Sequence, residues 1–462
     1  MVGNMTVTHS SRVVLLSLRV LLIFVPFTVF FPYYQQQAQQ YAAARYLFGT
    51  LETANGQMFD QRRLSSATIA QKEHAAGISV ANVTLAWKDY ETADGIFNEN
   101  QLARVVSDIK TFLQAGQKVD VQLAVHYVPS WVMKIPNAYY LNQYGIRAPQ
   151  VYGFDDPNYI FNATVRQKVQ DFETHALQQL NAQVGLNSIW DFRIDAGDGG
   201  EAYYDFSNDG KHHTNSYWAY DVNAQGTGNN LPTGVNATPF PNWKPGQTTY
   251  KGHPFTTAQV QQWYDWYFNA RMNYCNWQVS LYRKAGFNKY LTFETPGSGT
   301  RPNEYTNNIN HYLDGSDDPN GTMSRAAVWQ KFYPAITNKT NIIAYISSIA
   351  DSSGVPANNL CQASDRNVNI DTDTRVNNWS AVRYVSNIAN KYGFLKGGEN
   401  PGYGTSDANS DYGMTMMSIA AKQMQSCGLI GMFWAHDQNL YDGKNGLTLQ
   451  DYTNIIAQYN VT

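Results

Sequence analysis

Two glutamates in the chain each follow a pair of adjacent glycines at the end of a strand-like run. Glu201 stands in "IWDFRIDAGDGGEAYYD" and Glu399 in "YGFLKGGENPGYG". Adjacent glycines let the backbone turn sharply and leave room for a ligand beside the acid. One carboxyl group can donate a proton at such a position, while a second carboxylate opposite it acts as nucleophile or base. The two glutamates are therefore predicted to be catalytic.

Eight apolar, strand-like runs divide the chain and must position these acids. They span residues 45–51, 78–87, 119–127, 188–195, 289–294, 341–348, 393–398 and 428–435. Segments with apolar residues at helical spacing fall between them, including "QLARVVSDIKTFLQAG" and the long "TTAQVQQWYDWYFNARMNYCNWQVSLYRKAG". This alternation predicts an α/β fold, a (β/α)8 TIM barrel over residues 45–462.

Long loops after two of the strands account for the length of the chain. Such barrels usually take about 250 residues, whereas this chain has 462. Residues 196–255 form a Gly- and Asn-rich insertion after strand 4 with five Tyr and two Trp, too many aromatic residues for a disordered segment. The part from about 202 to 255 is predicted to be an active-site insertion. A second long loop, 127–161, follows strand 3. Both loops are predicted to lie on the face of the barrel where active sites form.

Strands 4 and 7 lie nearly opposite each other in an eight-stranded barrel. Carboxyl groups that reach inward from their ends can flank one bond of a bound molecule, which is the arrangement that cleavage of a glycosidic bond requires. A carboxyl separation of about 5 Å gives retention of configuration, and roughly 6.5–9.5 Å gives inversion. The sequence does not fix that separation.

Several motifs resemble those of the clan-A glycoside hydrolases, retaining (β/α)8 enzymes that include β-galactosidases and many cellulase-like enzymes. The segment "TLAWKDYETADGIFNENQL" after strand 2 is similar to the W-x-x-Y-E-x-x-x-G-x-[FY] pattern of that clan, with Trp87, Tyr90, Glu91, Gly95 and Phe97. "HYVPSW" (126–131) resembles the end of strand 3, and "FWAHDQNLYDG" (433–443) resembles strand 8. The resemblance implies that Glu201 is the acid/base, that Glu399 is the nucleophile, and that Trp434 lies beneath the sugar at subsite −1.

One position departs from the clan pattern. Clan-A members usually have Asn immediately before the acid of strand 4, where it binds the sugar 2-hydroxyl, whereas this chain has Gly200. "GDGGEAYYD" is instead similar to the Gly-Glu of β-amylases, inverting relatives that also use strands 4 and 7. An inverting, β-amylase-like hydrolase is therefore the alternative enzyme, and a non-catalytic carbohydrate-binding barrel is the alternative from another class.

Nine further residues near the predicted strand ends are expected to contact a carbohydrate substrate. They are Trp87, His126, Trp131, Asp198, Tyr203, Glu294, Asn400, Trp434 and Asp437. Core packing is the stronger expectation for Trp87, and Glu294 is expected mainly as a partner of the catalytic acids or an acceptor for sugar hydroxyls. No cofactor and no metal ion are expected.

Composition and the N-terminal segment predict an exported protein without affinity for nucleic acid. The formal net charge is −3, the pI is about 6.3 and only 15% of residues are charged, so no basic surface attracts nucleic acid. Residues 1–44 have a basic start and a short apolar stretch, which predicts a signal peptide, with an N-terminal membrane anchor as the alternative. Cys275 and Cys427 are expected to be buried small residues, although one disulfide is possible.

Overall fold

A computed structural model describes the barrel and most of its loops. The described residues are 46–54, 64–150, 153–194, 197–205, 208–211, 213, 215–295, 297, 299–314, 321–350, 359–400, 413–435, 437, 440–441 and 447–460, with the backbone alone at 52–54, 198, 313 and 314. Residues 46–462 belong to one compact unit. The predicted signal peptide or anchor at 1–44 lies outside the described residues.

Eight parallel strands form the barrel, as the sequence predicts. They are β1 (Leu47–Ala54), β2 (Val80–Ala86), β3 (Lys118–Ala124), β4 (Asp191–Ile194), β5 (Tyr290–Thr295), β6 (Ile342–Ile346), β7 (Leu395–Gly398) and β8 (Gly431–Trp434). From β1 to β7 each strand pairs with the next along the chain, and β8 pairs with β1. Between β7 and β8 the sheet is nearly closed by a bridge from Glu399 to Phe433 and by Ile430 N, which donates to Lys396 O at 2.8 Å.

Nine helices of seven or more residues accompany the strands in the described part of the chain. They are α1 (Ser66–Ala75), α2 (Glu99–Gln114), α3 (Ala163–Gln183), α4 (Thr257–Lys284), α5 (Pro302–Asp314), α6 (Trp329–Ala335), α7 (Ala381–Tyr392), α8 (Met414–Cys427) and α9 (Leu449–Tyr459). α4 begins with an N-cap, since Thr256 and Gln259 form a reciprocal capping box. No described helix combines the length and apolar character that crossing a membrane would require.

Two faces of each strand are used differently, because successive side chains of a strand point to opposite sides of the sheet. The sides facing the helices join a large apolar core. Inside the barrel, a smaller apolar cluster contains Val80, Ile343, Tyr345 and Phe433. This small interior cluster leaves the upper layer of the barrel to polar side chains, which form the candidate site.

The insertion after β4 packs onto the barrel's own helices. Its backbone consists mostly of turns, with one short hairpin of Thr249–Tyr250 and His253–Pro254. The rings of Tyr217 and Trp243 in the insertion lie 5.4 and 5.2 Å from the ring of Trp263 in α4. The described part of the insertion is therefore part of the barrel domain, which disfavours a separate small domain.

A disulfide bond joins Cys361, in the loop after β6, to Cys427, the last residue of α8. Cys427 is buried, as expected, but it also forms the one disulfide that the sequence left open, because the sequence does not show which segments meet. Cys275 is a free, buried cysteine within α4, as expected. The bond spans 66 residues of chain, which include all of β7.

Replacing Cys361 by Ala is expected to lower the free energy of unfolding by about 4 kcal/mol, since a cross-link of this span restricts the unfolded chain. Chemical denaturation of the two proteins measures the difference. Addition of a thiol reductant is the control. It should lower the stability of the wild-type protein by a similar amount and leave the stability of the variant unchanged. Equal stability of wild-type and variant under oxidising conditions would contradict the prediction.

Candidate active site

A buried arginine on β4 organises the polar layer at the carboxyl end of the barrel. The Arg193 guanidinium lies 3.2 Å from Asp120, 2.8 Å from Glu294 and 3.2 Å from Glu399, and its side chain is only 3% exposed. Its planar face also covers the ring of Tyr345 at 4.3 Å. Because a guanidinium carries five N–H donors in a fixed plane, it can hold carboxylates from several strands in one arrangement.

Glu399 continues β7 and is held on both its backbone and its side chain. Its backbone N–H donates to Ile346 O at 2.9 Å, and its carbonyl accepts from Ile349 N at 2.6 Å. Its carboxylate accepts hydrogen bonds from Tyr345 Oη at 2.9 Å and from Arg193 Nη1 at 3.2 Å. Burial raises the pKa of Glu399 well above its usual range, the charge of Glu294 adds to this, and Arg193 and Tyr345 oppose it.

The glycines before Glu399 are required by close packing. A Cβ atom at Gly398 would lie 2.6 Å from the carbonyl oxygen of Ile346. A Cβ atom at Gly397 would lie 3.2 Å from the ring of Tyr345. The sequence pattern therefore reflects a strand end that passes very close to β6, which is how Glu399 reaches the Tyr345 hydroxyl.

Glu201 is presented by a tight turn after β4. Gly199 and Gly200 have φ angles of 61° and 91°, in the left-handed region that favours glycine. A Cβ atom at Gly197 would lie only 2.1 Å from the carbonyl oxygen of Tyr203. The predicted sharp turn is thus present, and it needs glycine at several of its positions.

The environment of Glu201 raises the pKa of its carboxyl group toward neutral pH. Burial, and then the charge of Glu294, raise the pKa of Glu201 to about 7. The Arg325 guanidinium and hydrogen bonds with Ser347 and Tyr203 act in the opposite direction. Arg325 is positioned by stacking on the Tyr203 ring at 3.7 Å.

Glu201 and Glu399 share one electrostatic cluster. The charge of Glu294 raises the pKa of both residues, and the charge of Glu201 contributes to the raised pKa of Glu399. The backbone carbonyl of Glu294 also accepts a hydrogen bond from Ala202 N at 2.7 Å, which ties the end of β5 to the Glu201 turn. The structure thus brings the two predicted acids together, with Glu294 as the group that interacts with each.

The departure at Gly200 has a conformational cause. A Cβ atom at this position would lie 2.7 Å from Gln122 Nε2, and the φ angle of 91° is strained for other residues. The same Cβ would lie 3.6 Å from the His126 ring. An Asn at this position would therefore need a different turn, and His126 is the predicted substrate residue that the fold brings beside the Glu201 loop.

The motif after β2 forms a structural unit around Glu91. The Glu91 carboxylate accepts from Trp87 Nε1 at 2.7 Å and from Gly95 N at 2.8 Å, and its carbonyl accepts from Trp131 Nε1 at 3.0 Å. Trp87 is fully buried and stacks on Phe172 at 5.5 Å. The contacts of Trp87 support the core-packing expectation, while Trp131 is half-buried beside it.

The remaining predicted substrate residues fall in different surroundings. Tyr203 lies beside Glu201, whereas the Asn400 side chain accepts from Ala435 N at 2.7 Å and so links the ends of β7 and β8. Trp434 is fully buried and packs against Tyr452 of α9 at 6.2 Å, on the helix side of the barrel. These contacts do not place Trp434 among the acids.

Asp198 and Asp437 are the last two predicted substrate residues. Asp437 is fully buried, and its carbonyl accepts from Leu440 N at 2.9 Å. The side chain of Asp198 lies outside the described part of the structure. A role in substrate binding stays a prediction for both.

Sequence reasoning missed Arg193, Tyr345, Ser347 and Arg325. An Arg within the apolar run "IWDFRI" and a Tyr within "NIIAYISS" are detectable signals, because a buried polar group in a strand needs a partner inside the barrel. Arg325 and Ser347 are in loops and carry no such signal. Among the described residues, no group of three or more His, Cys, Asp or Glu side chains could hold a metal ion.

Among comparisons with known proteins, only that with solved structures gives matches, and these support the fold. Comparison with models of protein families finds no match, and comparison with the sequences of curated proteins finds none either. The structure is similar to the catalytic domain of β-amylase from Paenibacillus polymyxa, with a TM-score of 0.58, 13% identity and coverage of 90% of this chain and 98% of that one. It is also similar to β-galactosidase from the psychrophilic Marinomonas ef1, with a TM-score of 0.50 and 11% identity.

The second similarity covers 89% of this chain but only 59% of the β-galactosidase chain. At these identities the comparisons establish the architecture alone. The class defined by the fold is the (β/α)8 barrel, and the acid cluster at the carboxyl ends of its strands lies where active sites of that class form.

Proposed function

We propose that the protein is a glycoside hydrolase that cleaves O-glycosidic bonds of an oligo- or polysaccharide. The observation that carries the proposal is a pair of buried carboxyl groups, Glu201 after β4 and Glu399 after β7, that both interact with Glu294. Arg193 contacts Glu294 and Glu399 from below. Glycosidic cleavage needs one protonated and one ionised carboxyl group on either side of the bond. Similar barrels in a β-amylase and a β-galactosidase support the proposal.

Glu201 is proposed to protonate the leaving oxygen. Its raised pKa of about 7 keeps the proton available at neutral pH, and burial is the main cause. The turn that carries Glu201 is anchored to β5 through Ala202 N, so the acid is held on a rigid support. After the leaving group departs, the resulting carboxylate would accept a proton from the attacking water.

Glu399 is proposed to be the nucleophile of a retaining enzyme. Hydrogen bonds from Tyr345 and Arg193 favour its carboxylate form, against burial and the charge of Glu294. The positive charge that develops on the anomeric carbon would favour the same ionised form. In the inverting alternative, Glu399 would instead be the base that activates a water molecule.

A screen of aryl glycosides and of plant, fungal and bacterial polysaccharides tests the activity. Proton NMR of the first-formed anomer in a responsive reaction distinguishes retention from inversion. Binding of a glycan without hydrolysis across the whole panel would favour the non-catalytic carbohydrate-binding alternative. The aromatic insertion at 202–255 is proposed to cover the sugar and set the preferred chain length.

Export from the cytosol is part of the proposal. The leader-like sequence of residues 1–44 supports it, and so does the Cys361–Cys427 disulfide, because such bonds persist mainly in oxidising compartments. N-terminal sequencing of the mature protein distinguishes a cleaved signal peptide from a retained anchor.

Replacing Arg325 by Met is expected to move the basic limb of the kcat/KM pH profile upward, on the order of one pH unit. The basic limb reports loss of the Glu201 proton, and it should lie near pH 7 in the wild-type protein. Removing the nearby cation disfavours the carboxylate and therefore raises the pKa of Glu201. Glu294→Gln is the matched variant, because it removes a negative charge near Glu201 instead of a positive one. It should move the basic limb to lower pH. Movement of the basic limb in the same direction in both variants would contradict this account.

A further inference from the structure

Two buried aspartates lie side by side beneath the candidate active site. Asp120 of β3 and Asp191 of β4 are paired in the register of the sheet and are 0% and 2% exposed. Neighbouring strands run about 4.8 Å apart. Both side chains face the barrel interior, since Asp120 contacts Arg193 there and Asp191 contacts Thr292. The two carboxyl groups are therefore neighbours in a buried site.

Each aspartate uses only one of its two oxygens in hydrogen bonds. Oδ2 of Asp120 accepts from Arg193 Nε and Nη2 at 3.3 and 3.2 Å and from Asn82 Nδ2 at 3.1 Å. Oδ2 of Asp191 accepts from Thr292 Oγ1 at 2.5 Å. Within the described part of the chain, the buried Oδ1 atoms of both residues have no donor. Such atoms are costly unless they are paired.

We propose that Asp120 and Asp191 share one proton between their Oδ1 atoms, with Asp191 as the acid and Asp120 as the carboxylate. One O–H···O⁻ hydrogen bond would satisfy both otherwise unpaired oxygens. It would also remove the repulsion between two adjacent buried charges.

The surroundings of the two residues decide which one holds the proton. Burial, followed by the charge of Asp120, raises the pKa of Asp191 well above its usual range, while Thr292, Arg193 and Arg283 oppose the shift. Burial also raises the pKa of Asp120, with a smaller contribution from Glu294, but Arg193 and Asn82 both stabilise its carboxylate. Asp120 has a cationic donor in direct contact, whereas the hydrogen-bond donor to Asp191 is a neutral hydroxyl.

The shared proton has a consequence for the acids above it. The Arg193 guanidinium contacts Asp120 on its lower side and both Glu294 and Glu399 on its upper side. A neutral Asp191 leaves a single negative charge beneath Arg193, so that Nη1 remains available to the upper acids. Asp120 and Asp191 are thus positioning residues for Glu399, an assignment that rests on the proposed function.

The pH dependence of unfolding for wild-type and Asp191→Asn protein tests the shared proton without any substrate. A folded chain that keeps a proton released by the unfolded chain loses stability as the pH rises above about 4, with up to a tenfold increase in the unfolding constant per pH unit from this group. Asp191→Asn should lose that contribution, because its amide donates to Asp120 without titrating. Asp265→Asn, in the partly exposed pair with Lys331, is the control and should keep the wild-type slope.

Infrared spectroscopy supplies an independent readout. The carbonyl stretch of a protonated carboxylic acid should appear at neutral pH in the wild-type protein and weaken in Asp191→Asn but not in Asp265→Asn. Unchanged slopes together with an unchanged band would overturn the shared proton. Stabilisation of the wild-type but not of Asp191→Asn by added sodium, potassium or calcium would also overturn it, because both aspartates would then bind a cation.

The positioning role is tested separately by pH profiles of activity. Asp120→Asn removes the negative charge beneath Arg193, so the acidic limb that reports ionisation of Glu399 should move to lower pH. Asp191→Asn should leave that limb at its wild-type pH. Equal displacement by both variants would overturn the positioning role. Absence of hydrolysis in the wild-type protein would refute the proposed function but leave the stability and infrared results to decide the shared proton.

Discussion

Replacing Glu399 by Gln is expected to lower kcat/KM on every responsive glycoside by on the order of 10⁴- to 10⁶-fold, the loss typical of removing a catalytic nucleophile. An amide has the shape of the carboxyl group but cannot ionise and attacks the anomeric carbon poorly. The donors that hold the side chain, Arg193 and Tyr345, remain in place. Steady-state kinetics with the most reactive aryl glycoside from the screen measure the effect.

Thermal unfolding separates this loss of chemistry from a loss of structure. Glu399→Gln should unfold as cooperatively as the wild-type protein, because the substitution preserves volume and keeps an acceptor for Tyr345. Glu304→Gln is the matched control: Glu304 accepts from Arg301 N at the start of α5, at 2.7 Å, and the variant should keep its activity. Near-normal turnover by Glu399→Gln would contradict the assignment of Glu399 as the catalytic nucleophile.

Replacing Glu201 by Gln is expected to reduce kcat by about 10²- to 10⁴-fold on substrates whose leaving group needs a proton, the usual contribution of general acid catalysis. The reduction should be much smaller for the bond-breaking step with an aryl leaving group that departs as an anion. This dependence on the leaving group is specific to the acid/base, because a nucleophile is needed for every substrate. Comparing aryl glycosides of increasing leaving-group basicity measures it.

Added azide gives the Glu201 prediction a second outcome to check. In a retaining enzyme, a small anion can enter the space beside the neutral Gln and attack the glycosyl-enzyme intermediate without needing a base. Turnover of an activated substrate by Glu201→Gln should therefore recover with azide and yield a glycosyl azide of retained configuration. Equal losses on all leaving groups, with no recovery, would mean that Glu201 is not the acid/base.

The barrel was predictable because its signals are local and repeated. Each run of apolar residues that the sequence shows corresponds to a parallel strand of the barrel. The observed strand ends differ from the predicted ones by a few residues. An apolar side chain just beyond the hydrogen-bonded part of a strand gives the same sequence pattern as one within it. The Cys361–Cys427 bond was not predictable, because it depends on how separate loops meet.

Of the residues in the candidate site, the sequence singled out Glu201, Glu294, Glu399, His126 and Tyr203, but not Arg193. Glu201 and Glu399 were singled out from the glycines that precede them. The φ angles of Gly199 and Gly200 explain the first pair, and the close approach of Gly398 to β6 explains the second. Arg193 and Asp120 were not singled out, because their importance comes from pairing across neighbouring strands. Inward-facing positions of the strands therefore carry more functional information than their apolar pattern suggests.

The motif after β2 illustrates how a resemblance can mark structure instead of chemistry. Trp87, Glu91 and Gly95 are joined by two hydrogen bonds to one carboxylate. This arrangement closes the short hairpin of Glu91–Ala93 and Ile96–Phe97. The motif supports the correct fold, while its contacts explain its residues without a bound sugar.

The covalent link between the loop after β6 and the end of α8 affects how the protein would respond to digestion. A protease that cut the backbone anywhere between Cys361 and Cys427 would leave both pieces attached to each other through sulfur. Nicked molecules would keep the strand that carries Glu399 and would migrate as one species in electrophoresis until a thiol was added. Purified material could therefore contain cleaved chains that pass as intact ones.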